Sequence, residues 1–263
     1  MDLGLKGRTA LVLAASRGLG KAAALCLSQE GAMVAVASRS EEAASAAARS
    51  MEQISGNRTL AVKADVTRPE DIRQAVARTV AEFGRLDTLV INAGGPPAGL
   101  FTELDDAAWQ QAFELNLMSA VRSIREALPH LKKSDAPRVV AITSTSVRQP
   151  ISGLILSNSV RAGVVGLIKT LSFELAPDGV LLNCVAPGRI DTDRVRELDE
   201  GRAQRAGRPA SEIRSENAQQ IPLGRYGDPA EFGRAVCFLG SPANSYITGT
   251  TAYVDGGSTR SVI

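Results

Sequence analysis

The sequence predicts an α/β fold, a single doubly wound parallel sheet with helices on both faces. Short apolar runs alternate with longer segments of helical periodicity along nearly the whole chain. The runs are apolar throughout, which is typical of strands buried on both faces of a parallel sheet. At 263 residues the chain is expected to form one domain, residues 1–263, because single α/β domains reach this size.

Each predicted strand is a short apolar run, and a predicted helix separates most successive strands. The strands are predicted at 9–14, 33–37, 60–64, 86–91, 138–143, 180–185 and 251–254. The helices are predicted at 18–30, 41–54, 69–83, 105–131, 153–175 and 229–239. Pro69 begins the third helix, at a position where no backbone donor is lost. Because right-handed crossovers are the rule, this order leaves few topologies other than a doubly wound sheet.

Residues 193–221 break this alternation. Six arginines and six acidic residues lie between Asp193 and Gln220, with little apolar periodicity. A long polar segment inside a compact domain is usually a functional lid or a mobile loop. Because the segment follows the carboxyl end of a strand, we expect a substrate lid here.

Composition and charge exclude several classes of partner. Thirty basic and 28 acidic residues give a net charge of +2, and so no electrostatic reason to expect nucleic acid or an anionic membrane. No apolar run of 18 residues exists, so no membrane span is expected, and residues 1–7 lack a signal pattern. Cys26, Cys184 and Cys237 follow no metal-ligand spacing, which favours buried, reduced thiols in a cytoplasmic protein.

The turn after the first predicted strand has the composition of a phosphate-binding loop. It reads Leu13-Ala14-Ala15-Ser16-Arg17-Gly18-Leu19-Gly20 and opens the first helix. Glycines there let backbone N–H groups approach a pyrophosphate at the positive end of a helix. We therefore predict cofactor contacts from residues 16–20, although Ala14 replaces the usual first glycine. An ordinary strand–helix turn is the alternative, and the position in the chain favours the nucleotide.

Arg39 ends the second strand, about twenty residues beyond this loop. An acidic residue there would bind a ribose 2′-hydroxyl and repel a 2′-phosphate. Arg39, with Arg17, has the opposite preference, because a guanidinium matches phosphate in a bidentate fashion. The sequence thus predicts NADP(H) rather than NAD(H), unless both arginines are solvated surface charges.

Further motifs follow in a fixed order. They are Ala64-Asp65-Val66, Asn92-Ala93-Gly94, Leu115-Asn116-Leu117, Ser144, Pro187-Gly188-Arg189-Ile190-Asp191-Thr192 and Asp255-Gly256-Gly257. In this order and spacing, over nearly the whole chain, they resemble the short-chain dehydrogenase/reductase family, in particular its β-ketoacyl-carrier-protein reductase-like branch. The resemblance implies a Rossmann-type fold, a homo-oligomer (tetramer or dimer) and a small-molecule carbonyl or alcohol substrate.

The resemblance also assigns cofactor contacts. Asp65 and Val66 would flank the adenine, and Asn92, Ala93 and Gly94 would lie by the centre of the cofactor. Residues 187–192 would cover the nicotinamide, with Ile190 and Thr192 at the carboxamide and Pro187 and Gly188 beginning the loop.

Only two of the four residues expected to catalyse the family reaction are present. The family uses a Ser, a Tyr, a Lys and an Asn; here Ser144 and Asn116 match, but Ser157 stands at the Tyr position and Arg161 at the Lys position. A Ser hydroxyl is a far weaker acid than a phenol, and Arg stays protonated. Residues four apart share a helix face, so Ser157 and Arg161 should both face the pocket. We take all four as candidate catalytic residues; Ser144 and Ser157 alternatively serve only as polar residues at element ends.

Three functions fit this pattern. The first is an NAD(P)-dependent oxidoreductase that reduces a carbonyl or oxidises an alcohol with a non-standard active site. The second is a catalytically silent nucleotide-binding protein, a sensor or structural partner, and the third is an altered lyase or isomerase. Losing one positioned general acid typically costs about 10²–10⁴-fold, and hydride transfer can survive that loss because positioning and charge stabilisation remain. Ser144, Asn116 and the nicotinamide loop favour the first; Ala14, Ser157 and Arg161 oppose it.

Overall fold

A parallel sheet of seven strands forms the centre of the computed structural model, which describes residues 1–262. The strands are β1 (Thr9–Val12), β2 (Met33–Ser38), β3 (Thr59–Lys63), β4 (Thr88–Ile91), β5 (Arg138–Ile142), β6 (Leu181–Pro187) and β7 (Thr251–Val254). Their order across the sheet is β3-β2-β1-β4-β5-β6-β7, and every pair is parallel. The order reverses between β1 and β4, which is where doubly wound sheets bind ligands.

Helices cover both faces of the sheet. They are α1 (Gly18–Gln29), α2 (Glu41–Ser55), α3 (Pro69–Phe83), α4 (Asp106–Phe113), α5 (Ser119–Leu131), α6 (Ile155–Glu174), α7 (Asp193–Ala206), α8 (Ala210–Gln219) and α9 (Pro229–Leu239). The core on one face joins α1, α2 and α9 to the sheet. The core on the other face joins α3, α5 and α6 to it. Within residues 1–262, no helix combines the length and apolarity that crossing a bilayer would require.

Alternation along the strands explains why both faces are apolar. In β1, Ala10 and Val12 belong to one core and Leu11 to the other. Successive side chains of a strand point to opposite faces, so a strand that is covered on both sides must be apolar at every position. The predicted α/β fold class is thereby confirmed.

Most predicted elements are present, with shifts of one to three residues at their ends. The helices Pro69–Phe83 and Pro229–Leu239 and the strand Thr251–Val254 have the predicted bounds. The stretch predicted as one helix at 105–131 is instead α4 and α5 joined by a π-helical turn, Glu114–Met118. That turn inserts an extra residue into the helical repeat and changes the direction in which Asn116 points.

The segment 193–221 differs from a mobile loop because it folds into α7 and α8. Thr192 begins α7, and its Oγ1 accepts a hydrogen bond from Val195 N. Gly207 ends the helix in the left-handed region, with φ of 61°. Asp199 and Asn217, both polar, are among the buried residues of these helices. Their polar inner faces explain why apolar periodicity in the sequence did not reveal the two helices.

Candidate cofactor and active site

The predicted site residues follow the carboxyl ends of neighbouring parallel strands. Ser16, Arg17, Gly18, Leu19 and Gly20 follow β1; Arg39 follows β2; Asp65 and Val66 follow β3; Asn92, Ala93 and Gly94 follow β4; Ser144 follows β5; Gly188, Ile190 and Thr192 follow Pro187, the last residue of β6. The carboxyl ends of parallel strands meet at one edge of the sheet, so the fold brings these segments together. Val66 and Ile190 have side chains buried in the two cores, which leaves their backbone for a ligand.

The glycine turn is compact and held from β4. Ala14 O accepts a hydrogen bond from Asn92 Nδ2 at 3.0 Å. A Cβ on Gly20 would lie 2.6 Å from Ala14 O, so the turn requires glycine there. Ala14 adopts φ of 47°, and no other non-glycine residue in 1–262 has a positive φ. This conformation costs an L-residue roughly 1–2 kcal/mol, and the Asn92 bond helps to hold it.

The phosphate-binding turn lies across from the loop after β6. A Cβ built on Gly18, which has φ of 57°, would meet only Thr192 Cγ2, at 3.9 Å. On the other side of the turn, Ser38 Oγ donates to Ser16 Oγ at 3.0 Å and ties the turn to the end of β2. The first helix, the end of β2 and the loop after β6 therefore border one cleft.

Two cations mark the outer end of this cleft. Arg17 and Arg39 are exposed, and neither forms an ion pair with another residue of 1–262. Burial would raise the pKa of Asp65, but hydrogen bonds from Thr67 and the charge of Arg39 outweigh it and lower that pKa. The arginines are therefore available to an anionic ligand group.

The loop after β6 is fixed by backbone contacts. Gly188 N donates to Val254 O at 3.0 Å, and a Cβ on Gly188 would lie 2.6 Å from Asp255 Cβ. Asp191 N donates to Gly227 O at 2.8 Å. These contacts hold the loop at both ends.

Two buried polar atoms without partners in the described chain lie on the turn that follows Ser144 and on the π-helical turn. Ser144 Oγ accepts a hydrogen bond from Ser146 N at 3.1 Å, which fixes the turn that follows β5. Asn116 lies on the π-helical turn and donates weakly from Nδ2 to Gly94 O, at 3.5 Å. Its Oδ1 and Ser146 Oγ are buried and have no hydrogen-bond partner among residues 1–262. Buried polar atoms are rarely left unpaired, so these two indicate a place for water or a ligand.

Ser157 and Arg161 lie one helical turn apart in α6, and both are 9% exposed. Arg161 Nη1 donates to two carbonyl oxygens at the end of β5, Ile142 O at 2.9 Å and Thr143 O at 3.1 Å. Burial lowers the pKa of the Arg161 guanidinium to about 10. The group remains a cation at neutral pH, and it is anchored to the backbone that immediately precedes Ser144.

The tyrosines of the chain are engaged or exposed elsewhere. Tyr226 donates its hydroxyl to Asp199 Oδ2 at 2.7 Å. Tyr246 is 97% exposed, and Tyr253 lies in β7, paired with Ala186 of β6. The phenol of Tyr226 is thus already committed to a carboxylate, and none of the three tyrosines lies on α6.

A buried polar cluster was not predicted from the sequence. We call it the Asp199 cluster, and its members are Arg189, Asp199, Arg202, Asn217 and Tyr226. Asp199 accepts from Arg189 Nη1 at 2.8 Å, from Asn217 Nδ2 at 3.0 Å and from Tyr226. Arg202 Nη1 donates to Asn217 Oδ1 at 3.0 Å.

The Asp199 cluster joins α7, α8, the loop after β6 and the turn before α9. A signal for it was present in the spacing of four residues between Asp199 and Ala203, and between Ile213 and Asn217, since these four are buried. Two polar residues on those faces concealed the pattern. The segment 193–221 also contacts the loop after β4, where Arg194 Nη2 donates to Pro96 O at 3.4 Å.

Comparison with known proteins decides the family. The family model described as enoyl-(acyl carrier protein) reductase matches residues 13–259. The chain belongs to the short-chain dehydrogenase/reductase family. The sequence prediction of this family, and with it of an oxidoreductase, is confirmed.

Individual relatives cover the whole chain. A 3-oxoacyl-[acyl-carrier-protein] reductase of Vibrio cholerae is 35% identical over 255 residues, which are 97% of this chain and 98% of the relative. L-sorbose reductase from Gluconobacter frateurii, solved with NADPH and L-sorbose, superposes with a TM-score of 0.95 at 30% identity and full coverage of both chains. A 7α-hydroxysteroid dehydrogenase solved with NADH and a 7-oxo bile acid gives 0.90 at 27% identity, covering 100% of this chain and 98% of that one.

Proposed function

We propose that the protein is an NADP(H)-dependent short-chain oxidoreductase that reduces a small carbonyl compound, or oxidises the alcohol, without a catalytic tyrosine. The observation that carries the proposal is the Arg161 cation, held on Ile142 O and Thr143 O directly before Ser144. A fixed positive charge beside a carbonyl-binding hydroxyl stabilises the oxyanion that forms when hydride arrives.

The residues present fit the cofactor. At Gly18 a Cβ would meet only Thr192 Cγ2, at 3.9 Å, so the turn has space there for a pyrophosphate to approach its backbone. Arg17 and Arg39 lie exposed and without ion pairs within 1–262 at the end where a 2′-phosphate would bind. The sorbose reductase supports the same choice, since it was solved with NADPH. When bound, NADPH supplies the hydride.

Around that cofactor we propose the following contacts. Ser16, Arg17, Gly18, Leu19 and Gly20 would bind the pyrophosphate, Arg39 the 2′-phosphate, and Asp65 and Val66 the adenine. Asn92, Ala93 and Gly94 would border the central part, and Pro187, Gly188, Ile190 and Thr192 the nicotinamide. The well-held loop after β6 supports the last group, because a loop that does not move can position a flat ring.

At the reacting carbon, the proposed roles follow from the chemistry of each side chain. The Ser144 and Ser157 hydroxyls donate to the substrate oxygen, and Arg161 stabilises the negative charge that develops there. Arg161 is not the acid, because with a pKa of about 10 it keeps its proton at neutral pH. A water molecule supplies the proton. Asn116 Oδ1 would hold that water by accepting a hydrogen bond from it, since this buried oxygen has no partner in 1–262. The electrostatic contribution of one such donor is about 10²–10³-fold, which offsets much of the lost general acid.

The proposal includes a lid and an assembly. Residues 193–221 would close over the substrate, as the Arg194 contact with Pro96 O supports. A homodimer or homotetramer would form through the face of α4 and α6, where a groove of about 650 Å³ is lined by Trp109, Phe113, Val160 and Gly163, among others. A cytoplasmic location agrees with the three free cysteines of the described chain.

The proposal is tested by restoring the missing pair. The Ser157→Tyr/Arg161→Lys double variant should reduce neutral ketones at least about tenfold faster than the unmodified protein, because a phenol beside an ammonium is a far better acid. NADPH absorbance follows turnover, and NADPH fluorescence follows binding. Thr170→Tyr, at an exposed position of the same helix outside this groove, is the matched control and should give no gain.

Two results would count against the proposal. A protein that shows no NADPH fluorescence change up to millimolar cofactor has no nucleotide site. A double variant that folds and binds NADPH, yet reduces no ketone faster than the control, would mean that Ser157 and Arg161 do not lie at the reacting centre.

A further inference from the structure

We propose that the substrate is a small oxo acid, whose free carboxylate lies one or two carbons from the reacting carbonyl and pairs with the Arg161 guanidinium. This inference rests on the proposed function and specifies its substrate class. It starts from an arginine that is buried at the active site without an acidic partner in the described chain.

The guanidinium of Arg161 has unused donors. Only Nη1 makes hydrogen bonds to the rest of residues 1–262, and it donates both of them to backbone carbonyl oxygens. Nε and Nη2 have no partner in that part of the chain, and they are not among its fully buried unpaired atoms. The Nε–Nη2 edge is one of the edges through which arginine binds a carboxylate with two parallel hydrogen bonds. Arg161 can therefore bind such a group without releasing β5.

The charge of Arg161 is also uncompensated. Among residues 1–262 it forms no ion pair, and burial is the single cause of its lowered pKa; a nearby carboxylate would oppose that shift. A buried cation is costly unless an anion accompanies it. Neutral groups such as ribose hydroxyls or a thioester carbonyl would leave that charge in place, whereas a substrate carboxylate would neutralise it.

Carboxylates of the loops that border the cleft are already engaged. Asp191 accepts from both terminal nitrogens of Arg214, at 3.2 and 2.7 Å. Asp255 accepts from Gly257 N and Thr259 N, each at 2.9 Å. Neither pairs with Arg161, so we look to the ligand as the source of the negative charge.

Arg138 shows what a structural arginine looks like in the same sheet. It is also buried and has no ion pair within 1–262, but its Nε and Nη1 reach three carbonyl oxygens, those of Ser241, Asn244 and Pro137. Burial and then the charge of Arg8 lower the pKa of Arg138, and Asp135 partly counteracts them. Arg138 thus uses both Nε and Nη1 to hold backbone of its own fold, whereas Arg161 uses only Nη1.

The reaction balances with the proposed cofactor as reductant. Hydride from NADPH forms the new C–H bond as the carbonyl π bond breaks, and NADPH leaves as NADP⁺. The oxygen takes a proton from water, so the products are a hydroxy acid and NADP⁺. The carboxylate on Arg161 is unchanged, and it holds the carbonyl beside Ser144.

The test compares each acid with its own ester. Pyruvate with methyl pyruvate, and acetoacetate with methyl acetoacetate, are assayed with NADPH in the full-length protein. We expect kcat/KM to favour one acid over its ester by about 30–100-fold, the range of a charge-assisted hydrogen-bonded pair. Arg161→Met should remove this preference, Arg161→Lys should restore part of it, and the exposed Arg49→Met should leave it unchanged. NADPH fluorescence should show that cofactor affinity in Arg161→Met stays within about threefold.

The outcomes separate this inference from the function on which it rests. If the esters are reduced as well as the acids, or if Arg161→Met lowers both equally, the oxo acid assignment is wrong and the reductase proposal stands. Loss of NADPH affinity in Arg161→Met would instead place Arg161 on the cofactor and also overturn the assignment. If NADPH binds but no acid, ester or ketone is reduced, both proposals fail.

Discussion

Two buried charges in this protein are held in opposite ways. Asp199, in α7, is 4% exposed and accepts hydrogen bonds from an arginine, an asparagine and a tyrosine. Arg161, at the end of β5, is 9% exposed and meets only backbone carbonyls in the described chain. Both side chains are shielded from water. Only Asp199 has side-chain partners, and one of them, Arg189, carries the opposite charge.

We infer from this difference that Asp199 stabilises the fold, whereas Arg161 is available to bind a ligand. Removing one partner of a buried, paired charge is strongly destabilising, because the others are left unpaired. Removing a buried charge that has no counter-charge also removes its desolvation penalty, so the net effect on folding is small. The comparison therefore makes quantitative predictions about the stability of single variants.

The largest effect is expected at Asp199. Asp199→Ala leaves Asn217 and the Tyr226 hydroxyl buried without their acceptor, and should lower the free energy of unfolding by about 3 kcal/mol. Urea unfolding at fixed protein concentration measures the total, and amide hydrogen exchange should show the loss concentrated in α7 and α8. Glu200→Ala, at an exposed neighbour on the same helix, is the control. Unchanged amide hydrogen exchange in both helices would show that the Asp199 cluster does not stabilise α7 and α8.

The sequence predicts the edge of the sheet that carries Arg161 better than it predicts the Asp199 cluster. The strands were predictable because each is mostly apolar, with few exceptions such as Arg138 in β5. The order of motifs also predicted that Ser144, Asn116, Ser157 and Arg161 share one site, and this assignment stays a prediction. These are local signals: the spacing along one helix fixes that Ser157 and Arg161 share a face.

The Asp199 cluster was beyond this reasoning because its contacts are not local. Tyr226 and Asp199 are 27 residues apart, and Asn217 lies 18 residues from Asp199. A polar residue on the inner face of a helix looks like a solvated one until its partner in another element is known. For the same reason, the sequence could not show that Arg161 lacks an acidic neighbour.

A smaller effect is expected at Tyr226, with a distinctive pH dependence. Tyr226→Phe removes one hydrogen bond to a carboxylate and should cost about 1.5–3 kcal/mol at neutral pH. Burial, then the hydrogen bond to Asp199, raises the pKa of the Tyr226 phenol. A raised pKa means that the native state favours the protonated phenol, so its contribution is complete below about pH 10 and falls as pH rises towards the raised value.

Unfolding curves of the two proteins between neutral pH and about pH 11 test this directly. The gap between wild type and Tyr226→Phe should narrow at the alkaline end. A gap that stays constant there would indicate that the phenol does not titrate with folding, and a gap near zero at neutral pH would remove Tyr226 from the cluster.

The smallest effect is expected at Arg161, and it tests the comparison most severely. Arg161→Met gives up two hydrogen bonds to carbonyls, but it also removes an uncompensated buried cation, so the free energy of unfolding should change by no more than about 1 kcal/mol in either direction. Arg138→Met is the matched variant: it loses three carbonyl contacts, two of which close the 241–244 turn, and should be the more destabilised by about 1–2 kcal/mol. If Arg161→Met is instead as damaging as Asp199→Ala, Arg161 is a structural group like Asp199. The pocket would then have no unmet charge with which to select an anionic substrate.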